Sequence, residues 1–569
     1  MPDAPTVSTQ GKASHTYDAI VIGSGISGGW AAKELTEKGL KTLVLERGRD
    51  LKHGEYPVAM QEPWQRPNRG RPTPEFQEKN PILMQCGAVH GADRNMFVPD
   101  AEHPYIQKKP FGWIKGYQVG GKSLLWARWT QRWSPTDFEA NAKDGHGVDW
   151  PIRYEDLAPW YSHVEKFAGI SGNRDGLPQV PDGEFLPPME FNALDKHMKA
   201  SIEKTFPGRN LVISRSANLT QSIHGRGPCQ FRDRCARGCP YAGYFSSNSA
   251  TLPAAFATGR LTIRPFSVVH SIIYDADKKR ATGVRVIDTN TKETTEFFAR
   301  VIFVNAATLN TASILLNSKS DRFPNGLGND SGELGHNLMD HNYRVKLRGR
   351  HDGFRDRYYS GRRPTGTLIP RFRNFGRDQQ KDFVRGYSFS VFASRGRGNF
   401  GPDTPPIGAA YKQALSEPGG WGLWMNCMAE HLPHHNNKVT QSATEVDQWG
   451  MPLLEIDCEY RSNELAMIKD MLATSGEMAE ASGFRDVTPW DSEEAPGLGI
   501  HEMGTARMGR DPGTSVLNGH NQMHAVPNVF VSDGSSMASS AWQNPSLTYM
   551  ALTARAADYA VSELNKQNI

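Results

Sequence analysis

The chain has 569 residues, 38% hydrophobic and 22% charged, a balance that fits a globular protein with a sizeable core and excludes a disordered one. With 65 basic and 61 acidic residues the formal charge is +4, which gives no reason to expect a nucleic-acid partner. No apolar run approaches the roughly 18 residues needed to cross a bilayer, so no direct membrane span is expected.

The stretch from Met1 to Thr16 is polar and lacks both an apolar core and a twin-arginine pair, so the chain is expected to carry no export signal of its own. The first structural signal is the apolar run Tyr17 to Ile22, of strand length. It leads into Gly23-Ser24-Gly25-Ile26-Ser27-Gly28 and then a helix through Trp30 and Leu35, which Gly39 can stop. Lys41 to Leu45 is a second strand, ending at Glu46. Together these make a βαβ unit, whose crossover should be right-handed. Residues 51–112 are rich in Pro and polar residues and read as irregular. A β-rich stretch follows from Leu261 to Val304, then a helix from Thr308 to Asn317. From about 340 to 460 the texture changes. Tyr387 to Val391 alternates with period two, and Trp421 to Met428 is another strand candidate. Ser462 or Asn463 can cap a helix that carries Leu465, Ile468 and Leu472 on one face. The end returns to α/β, with a strand at Val529 to Val531 and a helix from Pro545 to Glu563.

This order predicts an α/β fold of two intertwined units. Residues 15–150, 225–340 and 500–569 form a discontinuous dinucleotide-binding domain. Residues 151–224 and 341–499 form a β-sheet-based substrate-binding domain.

A GxGxxG alone is a weak signal, but here it lies between a strand and a helix and an acid follows on the next strand. Gly23 permits the tight turn, Gly25 lets backbone approach a pyrophosphate, and Gly28 lets helix and strand pack closely. The helix N-terminus stabilises phosphate charge, and Glu46 can accept hydrogen bonds from ribose hydroxyls. The position at the start of the chain favours FAD over NAD.

Three cysteines crowd one Gly- and Pro-rich segment, Cys229, Cys235 and Cys239, while the other three are scattered. The spacing alone leaves three readings open: an iron–sulfur cluster, a zinc site completed by His224, or three unligated thiols. A single His in a Gly-rich turn, or an Asn beside a Pro, is likewise ordinary turn chemistry until something else speaks for it.

Four separated segments speak together: GSGISG at 23–28, VGGKSLLW at 119–126, HEMGTARMG at 501–509, and SDGSS followed by WQNPSLT within 532–548. In this order they resemble the glucose–methanol–choline (GMC) oxidoreductase family over nearly the whole chain. The resemblance implies a Rossmann-like FAD-binding domain intertwined with the substrate domain, and an enzyme that oxidises a CH–OH group. It assigns His501 as catalytic base and Asn544 as its partner. It places Gly120, Gly121, Ser123, Asp533 and Gly534 on the flavin and Val269 against adenine. Trp542 and Gln543, beside Asn544, are expected at the substrate. Where some relatives carry a histidine bonded covalently to the flavin this chain has Leu125, so the FAD is expected to be non-covalent.

The cysteine loop is similar to one that holds a [3Fe–4S] cluster in dehydrogenases of the gluconate 2-dehydrogenase and glucoside 3-dehydrogenase branch. That resemblance implies a sugar or glycoside oxidised at a ring hydroxyl, C3, to a 3-keto product. It also implies a small subunit and a cytochrome c as partners, and export to the periplasm with a signal-bearing partner. Trp421, Trp424, Asn426, His431, His434 and His435 are further candidate sugar contacts, with His434 and His435 read as a solvated turn. Two alternatives remain: a pyranose or C-glycoside oxidase that uses oxygen, and a non-catalytic electron-transfer flavoprotein.

Overall fold

The computed structural model describes residues 17–56, 59–87, 94–232, 235–357, 365–396, 398–401 and 403–569. The polar stretch expected to lack an export signal lies outside them. Among the described residues no helix is long and apolar enough to cross a membrane.

The first layer is a seven-stranded sheet. Tyr17–Ile22 is central and parallel to Thr42–Leu45 on one side and to Thr294–Val304 on the other. Leu261–Arg264 extends the sheet beyond Thr42–Leu45, and Val529–Val531 adds in parallel to the end of Thr294–Val304. The first half of that long strand pairs antiparallel with Arg280–Asp288, which pairs with Ser267–Asp275. Ala19, Ile20 and Val21 are fully buried, as are Val301, Ile302 and Phe303 beside them. Strands buried on both faces read as continuous apolar runs, which is why these were visible in the sequence. Helices Ile26–Glu37 and Ser546–Asn565 pack against each other on this sheet.

One consequence of parallel strands decides where the site lies. Four strands end together, at Ile22, Leu45, Val304 and Val531, and the residues just beyond them, Gly23, Glu46, Asn305 and Asp533, meet at one edge. Ligands of open α/β sheets bind outside these carboxyl ends.

The second layer is an antiparallel six-stranded sheet in the order Arg485–Asp491, Val345–His351, Trp421–Ala429, Tyr387–Arg395, Thr367–Ile369, Val212–Ile213. Leu423, Met425 and Cys427 point to one face, where Met467, Ile468 and Met471 of helix Ser462–Ala481 and Leu194, Met198 and Ile202 of helix Ala193–Thr205 cover them. Burying such side chains contributes roughly 1.5–3 kcal/mol each. Alternation then leaves Trp424 and Asn426 on the opposite face, toward the first layer.

Two expectations shift. Helix Tyr154–Ala168 lies in a segment assigned to the substrate unit, yet its Leu157, Tyr161 and Val164 are buried in the core of the nucleotide sheet. The helix at 462 is capped by Arg461, whose backbone N–H donates to Glu464, and Leu465 is 44% exposed rather than part of the buried face.

Candidate active site

A cavity of about 1170 Å³ runs from the strand ends of the first sheet to the open face of the second. Its two ends do different work.

At the nucleotide end the glycines act as the fingerprint requires. Gly23 has φ +94°, and a Cβ there would fall 2.4 Å from the Asn305 carbonyl oxygen. A Cβ on Gly28 would fall 1.9 Å from the Gly23 oxygen, so helix and strand close only on glycine. Gly25 differs: a Cβ there would meet nothing within 4 Å. No protein atom needs that glycine, so the open space in front of it fits a pyrophosphate. Glu46 lines the cavity, and Ser24 donates to its Oε2 from both N (3.1 Å) and Oγ (2.6 Å). The Gly48 N–H donates to Oε1 at 2.9 Å. Burial pushes the Glu46 carboxyl up against these bonds. Val269 lines the same end.

Ser24 Oγ also accepts from the N–H of Gly120 at 2.9 Å, which ties the Val-Gly-Gly loop to the fingerprint. Gly120 has φ +93° and lies under Asn248, whose Oδ1 would be 1.9 Å from a Cβ. Gly121 and Ser123 line the cavity, and the Ser123 hydroxyl donates to the Gly120 oxygen at 2.6 Å. Leu125, an alkyl side chain, lines the cavity next to them. Opposite, Asp533 accepts from Thr311 Oγ1 at 2.6 Å and from the Ser535 N–H at 3.0 Å, and Gly534 lines the wall beside it. Several buried polar atoms on this wall have no protein partner: Asn305 Nδ2, Glu502 Oε1 and the Tyr549 hydroxyl. Buried polar groups are rarely left so. A flavin dinucleotide, with its phosphates and carbonyls, fits a wall of that chemistry.

At the other end His501 Nε2 and Asn544 Nδ2 are 3.5 Å apart, both facing the cavity. Residues 43 positions apart in the chain thus converge on one point. Burial first, then the neighbouring His341 and Lys122, holds the His501 pKa well below the usual histidine value, so the ring is neutral. Neutral imidazole is the form that can take a proton.

Trp542 and Gln543 do not reach this point. Trp542 packs with Trp129, Val212 and Leu368, and Gln543 Nε2 donates to Asp137 at 2.7 Å. Both are buried away from the cavity, because the chain turns by one residue per side and only Asn544 faces in. The wall they were expected to form comes from the second sheet instead. Trp424, Asn426 and Lys346 line it, with Tyr343 and Glu494 beside them. Lys346 is in register with Asn426 and forms an ion pair with Glu494. Trp424 Nε1 donates to Asn426 Oδ1 at 2.8 Å. Of the other candidates, Trp421 is core, His431 is buried behind Asp340, and His434 and His435 lie outside the lining.

The three cysteines line the same cavity. Burial raises the Cys229 and Cys239 thiols, and both feel Cys235 electrostatically. The Cys239 N–H donates to the Tyr244 hydroxyl at 3.3 Å, and that hydroxyl donates to the Leu124 oxygen, joining the cysteine loop to the flavin-side loop. His224 packs on Phe167 and is not part of the lining, so the zinc reading loses its fourth ligand.

The family models for the N-terminal and C-terminal parts of GMC oxidoreductases match residues 17–343 and 433–553. The chain belongs to the GMC oxidoreductase family. It is thus an oxidoreductase of a family that typically binds FAD and includes dehydrogenases and oxidases of alcohols and sugars. It is 28% identical to a 2-methyl-1,2-propanediol dehydrogenase from Mycolicibacterium austroafricanum, over 95% of this chain and 94% of the relative. It is 26% identical to a fructose dehydrogenase large subunit from Gluconobacter japonicus, over 96% and 98%. Among solved structures it resembles pyridoxine 4-oxidase from Mesorbium loti, with a TM-score of 0.61 at 18% identity, covering 95% of this chain and 98% of that one. At that identity the likeness concerns the GMC fold alone.

Several residues of this GMC site escaped the sequence. Ser24 sits inside the fingerprint and could have been read as a bridge to Glu46. Asn248, Asn305, Asp340 and His341 carry no local signal, since only the fold brings them to the site.

Proposed function

We propose that this protein is an FAD-dependent dehydrogenase that oxidises a ring secondary hydroxyl of a sugar or glycoside, at C3, to the 3-keto product. The observation that carries the reading is the convergence of His501 Nε2 and Asn544 Nδ2 at the far end of the cavity that begins at Gly25 and Glu46.

When bound, FAD supplies the hydride acceptor at its N5. The chain's own residues do the rest. Neutral His501 takes the hydroxyl proton as the carbinol carbon gives up hydride, and Asn544 donates to the same oxygen and holds it. Lys122 lines the cavity and acts electrostatically on His501, and its ammonium is paired with Glu502 at 3.4 Å. Trp424 offers a ring for a pyranose face, and Asn426, Lys346 and Glu494 offer donors and acceptors to its hydroxyls. Leu125 has no atom that can bond to a flavin, which supports non-covalent FAD.

Cys229, Cys235 and Cys239 would hold a [3Fe–4S] cluster, which supplies a one-electron exit from the site. With such a cluster in place, electrons would pass to a partner, a small subunit with a cytochrome c, in the periplasm after co-export. The fructose dehydrogenase relative is a large subunit, which supports a multi-subunit assembly.

The test is an anaerobic absorbance and EPR spectrum of the purified protein, followed by a sugar panel. The expected result is a flavin spectrum, a cluster signal, and flavin bleaching by sugars or glycosides. Peroxide formed under air with no iron would replace the reading with an oxidase. Bleaching by no alcohol or sugar would remove it, as would full activity in His501→Ala.

A further inference from the structure

We propose that His341 sets the tautomer of His501, leaving the Nε2 lone pair of His501 aimed at the substrate hydroxyl. This rests on the reading of His501 as the base, and it makes His341 a positioning residue, since His341 does not line the cavity.

The hydrogens on a chain of three groups, Ala541, His341 and His501, decide the tautomer. His341 Nε2 lies 2.9 Å from the carbonyl oxygen of Ala541. A carbonyl can only accept, so His341 Nε2 carries a hydrogen. His341 Nδ1 lies 3.0 Å from His501 Nδ1. One of these two nitrogens must donate and the other accept. If His341 donated here as well, it would be a doubly protonated cation. His341 is fully buried, and burial holds its pKa down to about 4. Its Nδ1 is therefore bare, and the hydrogen between the rings belongs to His501 Nδ1. A neutral imidazole has one hydrogen, so His501 Nε2 has none.

That nitrogen is the one that faces Asn544 and the cavity. The opposite tautomer would point an N–H at the substrate and could not take its proton. When His501 Nε2 accepts the hydroxyl proton, the His501 Nδ1–H goes on donating to His341 Nδ1, so the resulting imidazolium keeps a hydrogen-bond acceptor behind it. The two rings meet edge to face, with centroids 5.0 Å apart, which restricts rotation of His501.

The backbone fixes His341 independently of any ligand. The segment Met339 to Asn342 bridges to Met503 at one end and to Ala429 at the other, so it is held between the loop that carries His501 and the second sheet. Ala541 lies three residues before Asn544 on the opposite wall. The relay thus ties the tautomer of the base to the segment that carries its partner.

The test uses the oxidised holoenzyme labelled with 15N-histidine, with His501→Ala to assign the His501 signals. The expected spectrum has Nδ1 protonated and Nε2 bare in His501, and a mixture of tautomers in His341→Leu. In anaerobic rapid mixing, His341→Leu should lower the limiting rate of flavin reduction by about 100-fold or more, of the order that a general base supplies, with substrate affinity unchanged. His341→Asn, whose Oδ1 can stand in for the bare nitrogen, should recover part of that rate. A wild-type spectrum with hydrogen on Nε2 would overturn the proposal. So would wild-type rates in a folded Leu variant, or an Asn variant no faster than Leu. If the Leu variant fails to fold, the wild-type spectrum and the Asn variant decide. The spectrum needs no substrate, so failure of the sugar reading would not be mistaken for failure of the relay.

Discussion

Asp340 Oδ1 accepts the backbone N–H of His501 at 3.0 Å, while its Oδ2 accepts those of Gly497 at 2.7 Å and Gly499 at 2.9 Å. One carboxylate thus gathers the loop that carries His501, and its neighbour His341 meets the ring of that histidine through its Nδ1. A Cβ on Gly499 would fall 2.7 Å from Oδ1, so the loop closes on Asp340 only with glycine there. In Asp340→Asn, one face of the amide would present hydrogens to N–H groups. The expected cost is about 1–3 kcal/mol, that of a buried donor left unsatisfied, with slower flavin reduction as His501 drifts. Thermal unfolding and rapid mixing on the holoenzyme measure both.

The same carboxyl makes a pH prediction. Burial, with Glu502 nearby, raises its pKa to about 7, against the pull of its three N–H donors. A raised folded pKa means that its contribution to stability is complete below the unfolded value of about 3.9 and is lost as pH rises through about 7. Wild-type protein should lose more Tm between pH 5 and pH 8 than Asp340→Asn does. Parallel Tm curves for the two would show that Asp340 does not titrate in this window.

His501 makes the opposite prediction for rate. Its pKa is depressed, chiefly by burial, so the neutral base persists as pH falls. An ordinary histidine of pKa about 6.5 would be about three-quarters protonated at pH 6. In an Asp340→Asn background, where the neighbouring carboxyl cannot titrate, the limiting rate of flavin reduction should instead be flat from pH 8 down to pH 6. Replacing His501 by Ala should lower it by about 100- to 10,000-fold without releasing FAD. A rate that halves near pH 6.5 would mean that the ring is not shielded.

These groups also mark the limit of what the sequence could tell. Gly23, Gly25, Gly28 and Glu46 were legible because strand, turn, helix and acid lie within 30 residues, so their geometry is local. His501 and Asn544 could be named only through resemblance to a family, and their 3.5 Å approach could not be read from the sequence. Asp340 and His341 were not, since their role exists only where Met339 bridges to Met503. Trp542 and Gln543 misled for a related reason. Adjacency to Asn544 in sequence does not fix which way a side chain turns, and Gln543 turns to Asp137. The substrate wall was half visible: Trp424 and Asn426 could be named, but the Lys346–Glu494 pair needed the strand register.

Gly25 separates folding from cofactor binding. No protein atom lies within 4 Å of a Cβ placed there, whereas Gly28 faces the Gly23 oxygen at 1.9 Å. Gly25→Ala should therefore leave the flavin-free protein as stable as wild type. It should weaken FAD binding by at least about tenfold, because the pyrophosphate needs that approach. Gly28→Ala should damage both. Acid precipitation of the wild type should leave all the flavin in solution, as a non-covalent FAD beside Leu125 requires.

The cysteine loop gives the sharpest division between two halves of the reaction. Cys229, Cys235 and Cys239 share the cavity with the flavin-side loop, and Tyr244 links the two loops through Cys239 and Leu124. If the thiols hold a cluster, Cys239→Ser should lose iron and the EPR signal. Substrate should still bleach the flavin at the wild-type rate, since the hydrogen bonds of His501 run to His341, Asp340 and Asn544 and not to the cysteine loop. Reduction of cytochrome c should fall by at least about tenfold, because the one-electron exit is gone. Wild-type protein that contains no iron, yet reduces the cytochrome as fast as the serine variant, would return the three cysteines to ordinary packing and leave the flavin to find its acceptor directly.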